Sequence, residues 1–218
     1  MSLILMTRWP SHPPDCPGWE YEDHPEKKTI LPLRVAEVLR DLVARQLDTR
    51  QVALDTRGVH EHCFLQLTPA SCIYYAGHYR GEAYRCLLHY QVGVPSDPRV
   101  GSPPQSVAFL MSELAMILGS GFASLDANSS LAPKDRLRYL IVLCARVFEL
   151  FLRIHRFANG NGHAARFLLW SALGRYDHWP PNWPVEPPPP RGPYYAAITA
   201  YRNGNRDALE SYILATLT

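Results

Sequence analysis

Lysine is nearly absent from this chain: three residues against nineteen arginines in 218. Acids and bases otherwise almost balance, at twenty against twenty-two, for a net charge of +2. That balance excludes the strongly electrostatic grip by which basic proteins hold nucleic acid or an anionic membrane. The arginines are spread evenly along the chain and read as a compositional bias rather than a phosphate-binding patch. There is no C-x-x-C. Five cysteines, Cys16, Cys63, Cys72, Cys86 and Cys144, are an odd number and widely spaced. This spacing argues for a reducing compartment and against a disulfide framework or a zinc site. Long apolar runs are also wanting. The richest, Leu137 to Phe151, is broken by Arg146 and Glu149, so the expectation is no membrane helix. Leu-Ile-Leu between Met1 and Met6 is too short for a signal peptide. The expected location is therefore the cytoplasm where the chain is made, with signal-independent secretion left open. No internal repeat is present.

What is there reads as one medium, mainly α globular domain with an N-terminal extension: 47% of residues are apolar and 19% charged. Residues 7–29 have no periodicity and read as an irregular arm. Leu31 to Leu47 carries Leu33, Val35, Val38, Leu39 and Leu42 at helical spacing, with Pro32 in the expected first turn. Val59 to Leu67 predicts a short helix stopped before Pro69. Tyr84 to Val94 is rich in β-branched, aromatic and leucine residues and precedes Pro95-Ser-Asp-Pro98. This pattern predicts a β-hairpin flap over 82–101. Ser102-Pro-Pro predicts a helix start with a capping hydroxyl, running to Leu118 before Gly119. Pro133 opens the predicted longest helix, to about His155, with a wide apolar face from Leu137 to Ile154. A second apolar helix is expected over His163–Leu173. Residues 177–193 hold eight of the twenty prolines and read as a stiff connector rather than a groove ligand, with Trp179 and Trp183 packing it down. Two further helices, Tyr194–Tyr201 and Arg206–Leu217, close the chain.

The segment with chemistry lies between the two apolar helices: His155-Arg-Phe-Ala-Asn-Gly-Asn-Gly-His-Ala-Ala-Arg166. Gly160-Asn161-Gly162 taken alone is only an interhelical turn. At a helix N-terminus, however, glycines let backbone N–H groups face an anion, which the helix dipole favours. Arg166, one turn past His163, can reach the same anion. The Asn161 amide can donate, and His155 can accept a proton. His60-Glu61-His62-Cys63 offers no converging ligand geometry and reads as a surface turn.

His-x-Phe-x-x-Gly-Asn-Gly-x-x-x-Arg is similar to the motif of the Fic family, H-x-F-x-[D/E]-G-N-G-[R/K]-x-x-R. Gly77-His78-Tyr79-Arg80 resembles that family's element ahead of its flap, Ser102-Pro-Pro its next helix start, and Ala208 to Ile213 its closing helix. The resemblance spans roughly His60 to the end, which divides the chain into an arm and helix over 1–55 and a Fic-like catalytic domain over 56–218. It implies transfer of AMP from Mg²⁺–ATP to a Ser, Thr or Tyr hydroxyl of another protein. His155 would be the general base and Phe157 a packing anchor. Gly160, Asn161, Gly162, His163 and Arg166 would hold phosphates, and Asn159 would meet Mg²⁺. The target protein would dock on the flap near 82–101 by strand pairing.

Two positions depart from the motif. Asn159 replaces an acid and brings Mg²⁺ no charge. His163 replaces a cation and cannot copy a guanidinium. No Glu has Ser or Thr four residues before it, so the family's inhibitory-helix pattern is missing and any inhibitor is expected to be a separate protein. Two classes stay open: a protein AMP transferase acting as a bacterial toxin or effector, and a degenerate Fic-fold module that binds nucleotide or protein without turnover.

Overall fold

A computed structural model describes residue 13 and residues 15–94, 97–128 and 130–217; Met1 to Met6 and the start of the arm lie outside them. The chain is mainly α, 62% helix and 1% strand. The helices are α1 (Lys27–Val43), α2 (Thr49–Leu54), α3 (Arg57–Phe64), α4 (Pro104–Ala127), α5 (Pro133–Ile154), α6 (Asn161–Gly174), α7 (Arg191–Arg202) and α8 (Arg206–Ala215).

α1 begins four residues before the expected start, so Pro32 lies inside it and removes one intrahelical donor. Burial of Leu31, Val35, Val38 and Leu42 on one face outweighs that loss. α2 has no apolar stripe long enough to be read; the Asp48 carboxylate makes it by accepting from Arg50 N (2.7 Å) and Gln51 N (3.1 Å). α4 does not stop at Gly119. It runs 24 residues, two more than α5. Ser102 does not cap it; Pro103 holds that position and Pro104 is its first residue. Gly121 continues it because a Cβ there would lie 2.4 Å from Leu143 Cδ2, so its bare backbone is what lets α4 and α5 approach. Against the expectation, α4 has the length and apolar composition of a membrane-crossing helix. On one face Val107, Met111, Leu114, Leu118, Phe122 and Leu125 are buried against the core, while Phe109 and Met116 are exposed.

The predicted β-hairpin is not found. Among the described residues of 82–101 there is no strand, only turns and one isolated bridge between Val94 and Asp97. The β-branched and aromatic residues are used singly: Leu87 is fully buried, and Tyr84 stacks on Tyr74. The absence of disulfides is also corrected. The arm brings Cys16 to a Cα–Cα distance of 5.5 Å from Cys86, and the two are bonded, while Cys63, Cys72 and Cys144 are buried thiols.

Two apolar clusters meet at α6. One joins α4, α5, α7 and α8 around Phe148, Phe151, Leu168, Leu169 and Trp183. The other joins the arm, α1, α3 and residues 67–87 around Trp19, Leu31, Phe64, Tyr75 and Phe167. The second cluster draws on both sides of position 55, so that boundary runs through a shared core. α6 is apolar almost all round, as a helix buried between two layers must be. Its N-terminus is therefore fixed from both sides.

Candidate functional site

His155, Asn159, Gly160, Asn161, Gly162, His163 and Arg166 all line one cavity of about 300 Å³. α5 ends at Ile154, and His155 follows in a left-handed conformation, φ 55°, which turns the chain out of the helix axis. Gly160, at φ 73°, is the cap of α6. A Cβ there would come within 2.7 Å of the Phe64 ring and 2.8 Å of His60 Nε2. Only glycine meets both demands. The first amides of α6, those of Asn161 and Gly162, have no carbonyl one turn back in the helix, and both residues line this cavity.

The His155 ring Nδ1 lies 3.2 Å from the Leu152 carbonyl. A carbonyl only accepts, so Nδ1 carries the hydrogen and Nε2 keeps its lone pair. Burial, with lesser pushes from the Arg80 and Arg202 charges, brings the ring down to about 4 from the ordinary 6.5. It is neutral at pH 7 and able to take a proton.

The asparagines serve the loop itself. Asn161 Oδ1 accepts from Phe157 N (2.9 Å), and Nδ2 donates to Phe157 O (3.0 Å), closing the turn. Both the oxygen and the nitrogen of its amide are thereby engaged by the loop's own backbone. Asn159 Oδ1 accepts from Gly160 N (2.7 Å), while Nδ2 donates to the Trp19 carbonyl (2.9 Å) and to the Glu22 and Glu20 carboxylates (3.1 and 3.3 Å). The oxygen expected to meet Mg²⁺ thus already accepts one hydrogen bond. Among the described residues no three His, Cys, Asp or Glu side chains gather as a metal site. Asn159 would offer a Mg²⁺ only the second lone pair of Oδ1 and no charge, with the Glu20 and Glu22 carboxylates beside it.

His163 is also engaged. Its Nε2–H donates to Glu186 (2.7 Å), and Nδ1 is 3.5 Å from the Tyr21 hydroxyl. Burial lowers it to about 4 in spite of Glu186, so it is neutral and gives a phosphate no charge. Glu186, held below its usual range chiefly by that hydrogen bond, also pairs with Lys27 at 3.4 Å. Arg166 is buried, its Nε donating to the Val185 carbonyl (3.0 Å). It lies over Gly162, whose Cβ would sit 3.1 Å from its Nη1.

Several residues at the site are not legible in the motif. His60 is no surface turn: it is buried, stacked on Phe157 at 3.7 Å, and donates to the Asn159 carbonyl (3.0 Å) while accepting from Gly77 N (3.0 Å). Tyr21, Glu22 and Lys27 come from the arm and α1, and Glu186 from the Pro-rich connector. The one signal for Glu186 is its place as a lone charge within a run of prolines. A second cavity, of about 510 Å³, adjoins the first and shares His155, Gly162 and Arg166 with it. Val94, Val100, Leu152 and Ile198 give it apolar walls, and Asp97, Arg99 and Arg202 line it too. No protein-family model matches the chain, and no curated protein matches it.

Proposed function

We propose that this chain is a Fic-type protein AMP transferase, taking Mg²⁺–ATP as donor and a Ser, Thr or Tyr hydroxyl of another protein as acceptor. The observation that carries the reading is the shared cavity wall: His155 with an open Nε2, the amides heading α6, and the Arg166 guanidinium. In this reading Nε2 accepts the hydroxyl proton, and the oxygen attacks the α-phosphorus. The bond from that phosphorus to the bridging oxygen breaks, and pyrophosphate leaves. The α6 amides and Arg166 bear the phosphate charge. Mg²⁺ arrives as part of the donor. The target protein approaches from the second cavity, beside Val94, Asp97, Arg99 and Val100, without a paired strand. A separate inhibitor protein fits this reading as an additional partner.

A second reading, a nucleotide- or protein-binding module without turnover, is favoured by one observation: Glu186 already lies on His163 and Lys27, where an incoming anion would be received. Incubation with ATP labelled in the α-phosphate separates the two. Covalent label on protein in the parent, and none in His155→Ala at nucleotide affinity within about threefold, is the expected result. Equal labelling by His155→Ala removes His155 from the chemistry. Binding without label in the parent leaves the second reading standing.

A further inference from the structure

We propose that Arg80 is a positioning residue for His155: its guanidinium fastens the carbonyls that follow the end of α5 and so holds the imidazole at the wall between the two cavities. This inference rests on the reading of His155 as the proton acceptor.

A helix ending inside a protein must satisfy its last carbonyls from elsewhere. At α5 the supply comes from two remote segments. Gly101 N donates to Arg153 O (2.9 Å) and Ser102 N to Ile154 O (3.2 Å). The rest comes from Arg80: Nη2 to Ile154 O (3.1 Å), Nε to His155 O (2.7 Å), and its backbone N–H to Arg156 O (2.9 Å). The same fork reaches Tyr90 O (3.0 Å) through Nη1 and Ser102 O (3.0 Å) through Nη2. One side chain, 1% exposed, thereby ties together the turn before α4, the segment at Tyr90 and the exit of α5.

The consequence falls on His155. A left-handed conformation costs a non-glycine residue roughly 1–2 kcal/mol, so the backbone stays there only if held. The bonds to its carbonyl and to both neighbouring carbonyls hold it, and the Nδ1 contact with Leu152 O then follows from the turn. A cation at a helix C-terminus is also well placed against the dipole. Lysine could supply the charge but not the planar fork that reaches four carbonyls at once. The ring's other charged surroundings, Arg202 facing it and Asp97, Arg99 and Arg166 on the cavity walls, come from different elements and do not bond this backbone.

The test compares the parent with Arg80→Lys and Arg80→Met, with the His155 ring and backbone followed by NMR and inorganic pyrophosphate binding followed by calorimetry. In folded Arg80→Lys the His155 backbone signals should leave their left-handed position, while His163 stays unchanged as an internal control. Pyrophosphate affinity should stay within about threefold, and kcat for transfer should fall about ten- to a hundredfold with KM for ATP nearly constant. Unchanged His155 signals in either folded variant overturn the inference, as does a parallel loss of pyrophosphate binding. A parent that transfers nothing sinks the transferase reading, and the NMR comparison still decides the role of Arg80. Should neither variant fold, the parent decides: a His155 backbone outside the left-handed region, or a ring protonated on Nε2, overturns the assignment.

Discussion

Residues 155–166 combine bonds within the loop with bonds from far away, whereas the arm and the Pro-rich connector laid across them are tied down chiefly by side chains of distant partners. Within the loop, Asn161 closes on Phe157 and Asn159 on Gly160. The covering segments have short local turns too, Asp23 N to Glu20 O (3.1 Å) and Trp183 N to Pro180 O (3.1 Å), but side chains tie them to distant segments. Trp19 Nε1 donates to Leu67 O at 2.8 Å, Tyr75 Oη to Pro17 O at 2.9 Å, and Trp170 Nε1 to Trp183 O at 2.7 Å. Local bonds and Arg80 together give the loop its turn, and the covering segments give it its electrostatic surroundings. The carboxylates of Glu22 and Glu186 reach the cavity only because the two covering segments bring them.

Acid should produce the largest effect, because His60, His155 and His163 lie where the two regions meet. Burial holds them at about 3, 4 and 4, below the ordinary 6.5. The unfolded chain takes those protons first, so stability is complete above pH 6.5 and drains as pH falls toward 4. Urea midpoints at pH 7 and 5 check this, and equal midpoints would break the picture of a dry seam. Trp19→Ala comes next. Its ring is 2% exposed amid Tyr21, His60, Phe64 and Tyr75, so the loss should be about 3–5 kcal/mol. A loss below about 1 kcal/mol would make the arm an ornament and dissolve the contrast.

Gly160→Ala tests the loop side. Left-handed strain and the collision with Phe64 and His60 should together cost about 2–4 kcal/mol. Denaturant titration with pyrophosphate binding measured alongside should show both falling. Asn159→Asp should have the smallest effect and the most instructive sign. The family motif has an acid here, yet the substitution removes the donor to Trp19 O and adds a charge beside Glu20 and Glu22. A loss of about 1–3 kcal/mol is expected, without tighter Mg²⁺–ATP binding. A gain in both would mean that the arm yields its place to the metal.

The same contrast explains what the sequence could convey. The apolar periodicity of α5 and α6 and the glycines between them mark the loop and its flanking helices, because the forces that shape them act within a turn or two. Arg166 could be singled out for the same reason, and Phe157 through the motif that the loop resembles. Glu186, Tyr21 and the buried role of His60 could not, since each depends on a contact between distant segments. The flap failed for a related reason. β-branched and aromatic residues fit a pleated surface, but a strand needs a partner edge, and no described segment provides one. Tyr84 and Leu87 found single aromatic and apolar neighbours instead. Cys16 and Cys86 are seventy residues apart, and only the folded arm makes them a pair.

The two cavities share His155, Gly162, Arg166, Tyr194 and Tyr195 as a common wall. Ligands placed one in each would press on the same five residues, with no subunit or hinge between them. Whatever the first occupant does to that wall, the second inherits. Thermodynamic linkage then makes the relation reciprocal: the factor by which one occupant alters the other's dissociation constant must be returned in full. A substitution at Tyr195 is therefore expected to change the coupling between two ligands as well as the affinity of each.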